Sequence, residues 1–278
     1  MASVAPPTRG EIEDSRRVAW TAAFQPHFDT LVAIGYVDGA YPLSYGSSID
    51  GLVSGDGEVA FREGAELAYG ADLSASTIYI VSSSGTDTQD YVIQGIDASG
   101  DYATATVTAT GTTPAVVSGT WNHVQRCICT TGVDNAGTVY ISTKSGAGVP
   151  TTTGDQIQTV MAIGDNYAIN PLLVVPNNQM FTINAFDFSQ DVTQSATIKI
   201  LANRQGRWIL NFKFYAGNED SFSQTFHTPV RLFAGDKIKV TILAGGGGAS
   251  KAAFGMNGNV WDVTNLDVTR SGIGELFK

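Results

Sequence analysis

The sequence predicts an all-β protein made of two β-sandwich, jelly-roll-like domains and an N-terminal arm that contains a short helix. Residues 74–143 alternate polar side chains with β-branched or aromatic ones at a period near two. Clusters of Ser, Gly, Asp, Asn, Thr and Pro separate these runs, which is the composition of turns. Charged residues make up only 15% of the chain, which holds 31 glycines, and this favours short strands joined by tight turns.

The N-terminal arm is predicted to span residues 1–30, with a helix at residues 11–24. Glu11, Glu13 and Asp14 would lie in its first turn, where the helix dipole favours negative charge, and Pro26 would end it. An apolar stripe on this helix would pack either on the chain's own first domain or on a neighbouring subunit. The predicted interface residues of the arm are Ile12, Val18, Trp20, Phe24 and Phe28.

The first sandwich domain is predicted at residues 31–146. Strands are expected at residues 77–81, 91–96, 103–109, 123–130 and 138–143, with short fragments at 59–61 and 67–69. Cys127 and Cys129 lie two apart on one predicted strand, so their side chains point the same way and are poorly placed to bond each other. We expect both cysteines to be reduced and at least one to fill core space.

A linker is predicted at residues 147–154, because the surrounding stretch is rich in Ser, Gly, Pro and Thr. The second sandwich domain then spans residues 155–278. Its strands are expected at residues 158–162, 172–175, 180–188, 197–201, 207–215, 230–233 and 237–243. The alternate residues Trp208, Leu210, Phe212 and Phe214 are expected to face one way, toward the core. The glycines at residues 245–248 fail the phosphate-loop template and predict a flexible hairpin loop.

The charge of the chain is unevenly distributed. A formal net charge of -10 argues against a nucleic-acid surface, which needs clustered Lys and Arg. Residues 29–101 contain 12 acids and 1 base, whereas residues 199–251 contain 8 bases and 3 acids. Either these are solvated faces that differ by chance, or acidic and basic faces meet between neighbouring subunits.

No motif for catalysis, a cofactor or a metal stands out. The sequence lacks the Gly-x-Ser-x-Gly, His-Glu-x-x-His and Gly-x-Gly-x-x-Gly patterns, so we expect no enzyme activity, no cofactor and no metal site. A calcium ion on Asp50, Asp56 and Glu58, or on Asp97 and Asp101, stays open beside the simpler interpretation that these acids stabilise turns. No apolar stretch approaches the length of a membrane span and no leader is apparent, so we expect synthesis in a cytoplasm and no membrane insertion.

Tyrosines are concentrated in the Gly-rich first third of the chain. Such rings either pack beneath loops or present a rigid amphipathic surface for sugars. The predicted candidates for contact with a glycan are Tyr36, Tyr41 and Tyr45.

Five ordered segments resemble a β-rich structural protein family of tailed bacteriophage particles, common in phages of aquatic bacteria and cyanobacteria. About a quarter of the chain carries this likeness. The segments are Ser-Ser-Ser-Gly-Thr-Asp-Thr at 82–88, Ile-Gln-Gly-Ile-Asp at 93–97, Thr-Val-Thr at 106–108, Gly-Thr-Thr-Pro at 111–114 and Asn-Ala-Gly-Thr-Val-Tyr at 135–140. The order of elements around residues 174–176 and 232–237 is similar to the C-terminal sandwich of such proteins.

This resemblance implies a non-enzymatic virion structural protein, assembled in the host cytoplasm as a homo-oligomer. Its expected partners are the major capsid protein or other virion proteins, on the capsid as a decoration or cement protein or at the head–tail surface. Apolar burial by the arm and by a C-terminal tail would supply affinity, and the tail's predicted interface residues are Ile273, Leu276 and Phe277. The alternative is a tail-fibre or receptor-binding module that recognises a host surface glycan.

Overall fold

The computed structural model describes residues 40–52, 58–60, 73–151, 153–191, 195–204, 207–217, 221–244 and 250–263. Within these ranges the regular elements are antiparallel β-strands and one 3-10 turn at Thr153–Asp155, which confirms the all-β class. The strands of the first half are β1 (Ala40–Leu52), β2 (Glu58–Ala60), β3 (Tyr79–Ser82), β4 (Asp90–Asp97), β5 (Tyr102–Thr108), β6 (Ala115–Val116), β7 (Trp121–Cys129), β8 (Val139–Ser142), β9 (Thr159–Met161) and β10 (Tyr167–Ile169). Those of the second half are β11 (Leu172–Val174), β12 (Gln179–Asp191), β13 (Ala196–Arg204), β14 (Arg207–Ala216), β15 (Ser221–Leu232), β16 (Lys237–Ala244) and β17 (Ser250–Asp262).

Strands β3 to β10 form one sandwich, which we call the inserted sandwich. Its sheets have the orders β10-β7-β4-β5 and β6-β3-β8-β9. Alternate residues of these strands fill the space between the sheets, including Ile80, Tyr91, Ile93 and Trp121. Cys127 and Cys129 are free and buried in the same core. The five strands predicted between residues 77 and 143 are all present.

The remaining strands form the second sandwich, in two sheets ordered β1-β17-β12-β15 and β11-β16-β13-β14. Lettered B to I in chain order, with β2 and β11 sharing the letter C, these sheets read B-I-D-G and C-H-E-F. This is the strand order of a jelly roll, the eight-stranded double Greek key. Its core is aromatic: the Phe186 ring stacks on Phe214 and Phe254 with centroid distances of 5.7 and 6.0 Å.

The inserted sandwich interrupts a strand of the jelly roll. Both β2 and β11 pair antiparallel with β16, and both lie on the same edge of it. Ala60 is opposite Thr241, and Leu172 is opposite Lys239. The C strand of the jelly roll is therefore split into two pieces, and residues 61–171 lie between them in the chain.

The predicted domain boundaries need correction. β1 and β2 were assigned to the first domain, but they pair with β17 and β16 of the jelly roll. β9 and β10 follow the predicted linker at residues 147–154, yet they pair with β8 and β7 of the inserted sandwich. The domain to which each strand belongs is decided by its pairing with strands that are distant in sequence, and composition does not predict this pairing.

Two strands also differ from the pattern-based prediction. β15 begins at Ser221, well before the strand predicted at residues 230–233. The prediction missed this first part because it contains Pro229 and many polar residues, which are tolerated here since β15 lies at a sheet edge. In β14 the register shifts, so that Leu201 pairs with Leu210 while Ile200 pairs with Phe212. This bulge interrupts the predicted one-faced alternation between residues 208 and 214.

Candidate functional site

Most of the predicted interface residues lie outside the described ranges. This holds for the whole arm, residues 1–30, for the C-terminal tail and for Tyr36. The predicted interface residues concerned are Ile12, Val18, Trp20, Phe24, Phe28, Ile273, Leu276 and Phe277. Their proposed role in assembly stays a prediction.

The two described tyrosines of the predicted glycan surface have different environments. Tyr41 is 42% exposed, and its hydroxyl accepts a hydrogen bond from Nε2 of Gln179 at 2.6 Å. Partial burial, with Asp262 nearby, raises the pKa of Tyr41. Tyr45 is 1% exposed, and its hydroxyl donates to the main-chain oxygen of Asn170. Its inclusion in an exposed sugar-binding surface was wrong, because it alternates inward on β1 and packs in the jelly-roll core.

The buried Asn170 joins the two sandwiches. It lies between β10 of the inserted sandwich and β11 of the jelly roll. Its main-chain N–H donates to the oxygen of Gln125 at 2.8 Å, and its Nδ2 donates to the oxygen of Val124 at 3.0 Å. Its Oδ1 accepts from the N–H of Leu172 at 3.0 Å. Asn170 thus links β7, β10 and β11, and its main-chain oxygen accepts a hydrogen bond from Tyr45 of β1.

Two bulges in β7 direct further side chains to this junction. The pairing of β4 with β7 shifts between Gln94 and Gly95 and again between Ile96 and Asp97. An extra residue in a strand reverses the faces of its neighbours. The amide of Gln125 consequently donates to the oxygen of Val174, and Nε2 of His123 lies 2.8 Å from the oxygen of Leu172. Both side chains are buried, at 5% and 3% exposure.

A second set of hydrogen bonds joins the β4–β5 turn to the loop before β12. The N–H of Asn177 donates to the oxygen of Gly100 at 2.7 Å, and its Nδ2 donates to the oxygen of Ser99 at 2.9 Å. The N–H of Tyr102 donates to Oδ1 of Asn178 at 3.3 Å. Gly100 has φ +88° and lies so close to the Asn177 amide that an added Cβ would overlap it. Together with the hydrogen bond from the Arg126 guanidinium to the oxygen of Ser44 at 3.1 Å, these two sets of contacts fix the orientation of the inserted sandwich on the jelly roll.

These junction residues were not predicted from sequence. The pairs Asn170-Pro171 and Pro176-Asn177 are turn signals. The first lies where the chain passes from β10 of the inserted sandwich to β11, and the second lies between β11 and β12 of the jelly roll. Nothing in the local pattern shows that the asparagine side chains are buried against another sheet.

Among the acids considered for calcium, Asp97 has a structural role in a turn. Oδ1 of Asp97 accepts from the N–H groups of Ser99 and Asp101 at 2.8 and 3.1 Å, which closes the β4–β5 turn. In the described ranges no three His, Cys, Asp or Glu residues come together as a group that could hold a metal. Burial raises the pKa of the Cys127 thiol, so this thiol stays protonated and unreactive at neutral pH.

An open groove lies between the turn at residues 97–99 and the loop at residues 118–120 of the inserted sandwich. Its volume is ≈ 410 Å³, and Thr104 and Ser118 contribute hydroxyl groups to its wall. Trp121 lines it but is only 2% exposed, so its ring offers no stacking surface. The hydroxyl groups of this groove can donate hydrogen bonds to a polar ligand and accept them from it.

No protein-family model matches the chain, and no curated protein matches it. Among solved structures it is similar to murine APRIL, at 12% identity and TM-score 0.22 over 60% of this chain and 99% of that one. It is also similar to two viral capsid structures. Empty particles of cowpea mosaic virus match at 6% identity and TM-score 0.21, over 66% of this chain and 82% of that one. The infectious bursal disease virus VP2 subviral particle matches at 9% identity and TM-score 0.20, over 87% and 78%. At these TM-scores none of the three informs the function of this chain, and its own strand order assigns the jelly roll.

In the part of the chain that the structure describes, no helix has the length and apolar character needed to cross a bilayer.

Proposed function

We propose that the chain is a non-enzymatic structural protein of a bacteriophage virion, acting through protein–protein contacts. Its place is a capsid decoration or cement position, or the head–tail surface. The observation that carries the proposal is the jelly roll whose split C strand holds a second sandwich in fixed orientation. Jelly rolls serve as capsid, lectin and cupin domains, and the resemblance of residues 82–140 to phage structural proteins favours the first of these.

The two-sandwich architecture supports a binding role. The junction hydrogen bonds around Asn170 and Asn177 hold the inserted sandwich against the jelly roll. A rigid carrier of this kind lowers the entropy lost when both sandwiches contact a larger surface at once. The Asp87 carboxylate accepts hydrogen bonds from main-chain N–H groups, which supports a structural role for it.

The experiment is incorporation into particles. Purified virions of the phage that encodes the chain should contain it, and deletion of residues 1–24 should leave a folded protein that no longer joins them. The copy number separates the two locations: hundreds per particle indicate the capsid surface, and about six to eighteen indicate the tail, as closed symmetric assemblies imply. Absence of the chain from purified virions would refute the proposal.

The second candidate function is recognition of a host surface glycan. It is favoured by Tyr41, whose exposed ring lies on an edge strand, and by the hydroxyl-lined groove of the inserted sandwich. Binding of the purified chain to host cells, with and without Tyr41→Ala, tests it. Tyr167→Ala, at a 38% exposed tyrosine on an edge strand of the inserted sandwich, is the matched control.

A further inference from the structure

Two loops of the inserted sandwich expose apolar side chains next to carboxylates. Val133 is 54% exposed in the β7–β8 loop, and Ile163 is 66% exposed in the β9–β10 loop. Each is followed closely by an acid, Asp134 and Asp165. We call these four residues the tip.

Main-chain hydrogen bonds join the two loops of the tip. The N–H of Asn135 donates to the oxygen of Asp165 at 3.3 Å, and the N–H of Gly164 donates to the oxygen of Asn135 at 3.0 Å. Cys129 N–H donates to the oxygen of Asn166 at 2.8 Å, which ties the same loops to the end of β7. The exposed Val133 and Ile163 are therefore held by a fixed backbone, and paired apolar side chains rimmed by charge are typical of a contact surface.

The outer face of the β11-β16-β13-β14 sheet has the opposite charge. In β13, Ile198, Ile200 and Ala202 are buried, so the intervening residues face outward. Lys199 lies directly opposite Lys213 of β14. The lysine face, as we call it, consists of Lys199, Lys213, Lys237 and Lys239.

Placing like charges opposite each other destabilises a sheet. The Lys199–Lys213 pair of neighbouring strands is such an arrangement. Beside it, Tyr215 is 73% exposed, and the Nζ of Lys213 lies 4.7 Å from the centre of its ring. A surface of lysines and an exposed aromatic ring fits a partner that presents carboxylates and apolar side chains together.

The chain itself carries such a partner surface. Residues 73–171, the region of the inserted sandwich, contain seven acids and two bases, whereas residues 40–60 and 172–263, the region of the jelly roll, contain eight bases and nine acids. The inserted sandwich is thus strongly acidic, whereas the jelly roll is nearly neutral and carries four of its eight bases on the lysine face. Complementary patches at different places on one molecule form a heterologous contact, which builds rings or filaments from many copies.

We propose that the tip of one copy docks on the lysine face of a second copy, so that the chains assemble head to tail. This proposal identifies a second copy of the chain as a binding partner, and it rests on the proposed virion function. Val133 and Ile163 would pack beside Tyr215, while Asp134 and Asp165 would lie against Lys199 and Lys213. Since the contact joins opposite charges at the surface, it weakens with salt.

The test uses the full chain and two charge-reversed variants. The first carries Asp134→Lys and Asp165→Lys on the tip, and the second carries Lys199→Glu and Lys213→Glu on the lysine face. Each variant alone has two like-charged surfaces and should stay monomeric in sedimentation velocity at low salt. An equimolar mixture restores opposite charges at both kinds of contact, so it should assemble as the natural chain does.

A matched control changes charge elsewhere on the inserted sandwich. Ser118→Lys and Thr120→Lys add two positive charges at exposed positions before the start of β7, whereas the tip follows the other end of this strand, so this variant should assemble like the natural chain. Raising the salt from about 0.05 to about 0.5 M should weaken assembly of the natural chain at least roughly tenfold. Monomeric natural chain at low salt, assembly of either reversed variant alone, or a monomeric mixture would each overturn the proposal.

Particle incorporation is measured separately. A natural chain that assembles head to tail but is absent from virions refutes the virion function and leaves this contact standing. A chain found in virions whose reversed variants assemble unchanged refutes the contact and leaves the function standing.

Discussion

Ala60 and Leu172 continue the same edge of β16, although residues 61–171 lie between them in the chain. Ala60 pairs with Thr241 and Leu172 pairs with Lys239, so a single position, opposite Val240, separates them along the edge. The inserted sandwich therefore leaves and rejoins the jelly roll at neighbouring points. Such an insertion leaves the pairing of the host sheet intact, because closely spaced ends permit domain insertion.

The first prediction is that the jelly roll folds without the insertion. Replacing residues 61–171 with one Thr would restore a continuous C strand along β16. We expect cooperative thermal unfolding and dispersed amide NMR signals from the shortened chain, because every buried residue of the Phe186-centred core except Ile169 lies outside the deleted segment.

A matched deletion tests the role of the edge strand itself. Removing residues 58–174 also takes away β2 and β11, which leaves β16 as an unpaired edge. This variant should unfold at a lower temperature than the bridged one. A bridged chain that shows no cooperative transition would contradict the prediction.

The sequence predicted most strands of the inserted sandwich because their alternation is local. β4 has Tyr91 and Ile93 facing inward at a period of two, and the turn residues on either side end it clearly. β17 was missed because Gly and Ala occupy much of it, so apolar contrast is weak. Its burial comes from Phe254 and Met256, which pack only once β1 and β12 flank it.

The domain boundary and the junction were beyond sequence patterns for a related reason. The composition of residues 147–154 correctly predicts a loop, but this loop connects β8 and β9 within the inserted sandwich and does not separate two domains. Which strands share a sheet depends on pairing between distant segments, such as β1 with β17. The roles of Gln125 and Asn170 depend on bulges and on contacts between the two sandwiches, so the period of apolar residues along a strand does not predict them.

The second prediction concerns the junction. Asn170→Ala removes a buried amide and leaves the oxygen of Val124 and the N–H of Leu172 without these partners. We expect a loss of about 1–3 kcal/mol in the free energy of unfolding, because unpaired buried polar groups lose their hydration. Limited proteolysis should also cut this variant faster between the sandwiches.

Asn166→Ala is the matched control for the junction. Asn166 is exposed, and its backbone oxygen, which accepts from Cys129, is kept in the variant. Its free energy of unfolding should change by less than about 0.5 kcal/mol, as surface substitutions do. Equal losses in the two variants would show that Asn170 does not hold the sandwiches together.

The third prediction is a loss of stability in alkaline solution. Burial, with smaller contributions from Cys129 and Asp87, raises the pKa of Tyr91 above its ordinary value of 10.0. Above about pH 10 the unfolded chain loses this proton while the folded chain keeps it, so the free energy of unfolding falls as pH rises, by at most about 1.4 kcal/mol per pH unit for one group. Below that pH both states hold the proton, and this contribution is fully present.

Urea titrations between about pH 9 and pH 11 measure this slope. Tyr91→Phe removes the titrating hydroxyl and should make the decline less steep, although Cys127, whose pKa is also raised by burial, still contributes to it. Val133→Ala, at an exposed residue without a titrating group, should leave the decline unchanged. An identical decline in Tyr91→Phe would exclude this cause.

The fourth prediction concerns Asp87, which is fully buried at the base of three loops. Its Oδ1 accepts from the N–H of Ala136 at 2.8 Å, and its Oδ2 accepts from the N–H of Gly137 at 2.9 Å and from the Ser82 hydroxyl at 2.5 Å. Asp87→Asn keeps the shape but turns one acceptor into a donor that faces another donor. Because hydrogen bonds to a charged acceptor contribute about 1.5–3 kcal/mol, we expect a loss of that order in urea unfolding at pH 7.

Asp90→Asn is the matched control, because it makes the same chemical change at an exposed aspartate and so separates the effect of burial from that of the substitution itself. Asp90 is exposed and accepts from the Thr108 hydroxyl, so water can replace what the substitution removes, and the expected loss is below about 0.5 kcal/mol. Asp87 also lies beneath the loop that carries Asn135, which is bonded to the tip, so its replacement should loosen that loop first. Amide hydrogen exchange should then rise at Ala136 and Gly137 before it rises in β4. Equal stability of the two variants, or exchange that rises evenly across the sandwich, would show that the Asp87 carboxylate does not organise this end of the molecule.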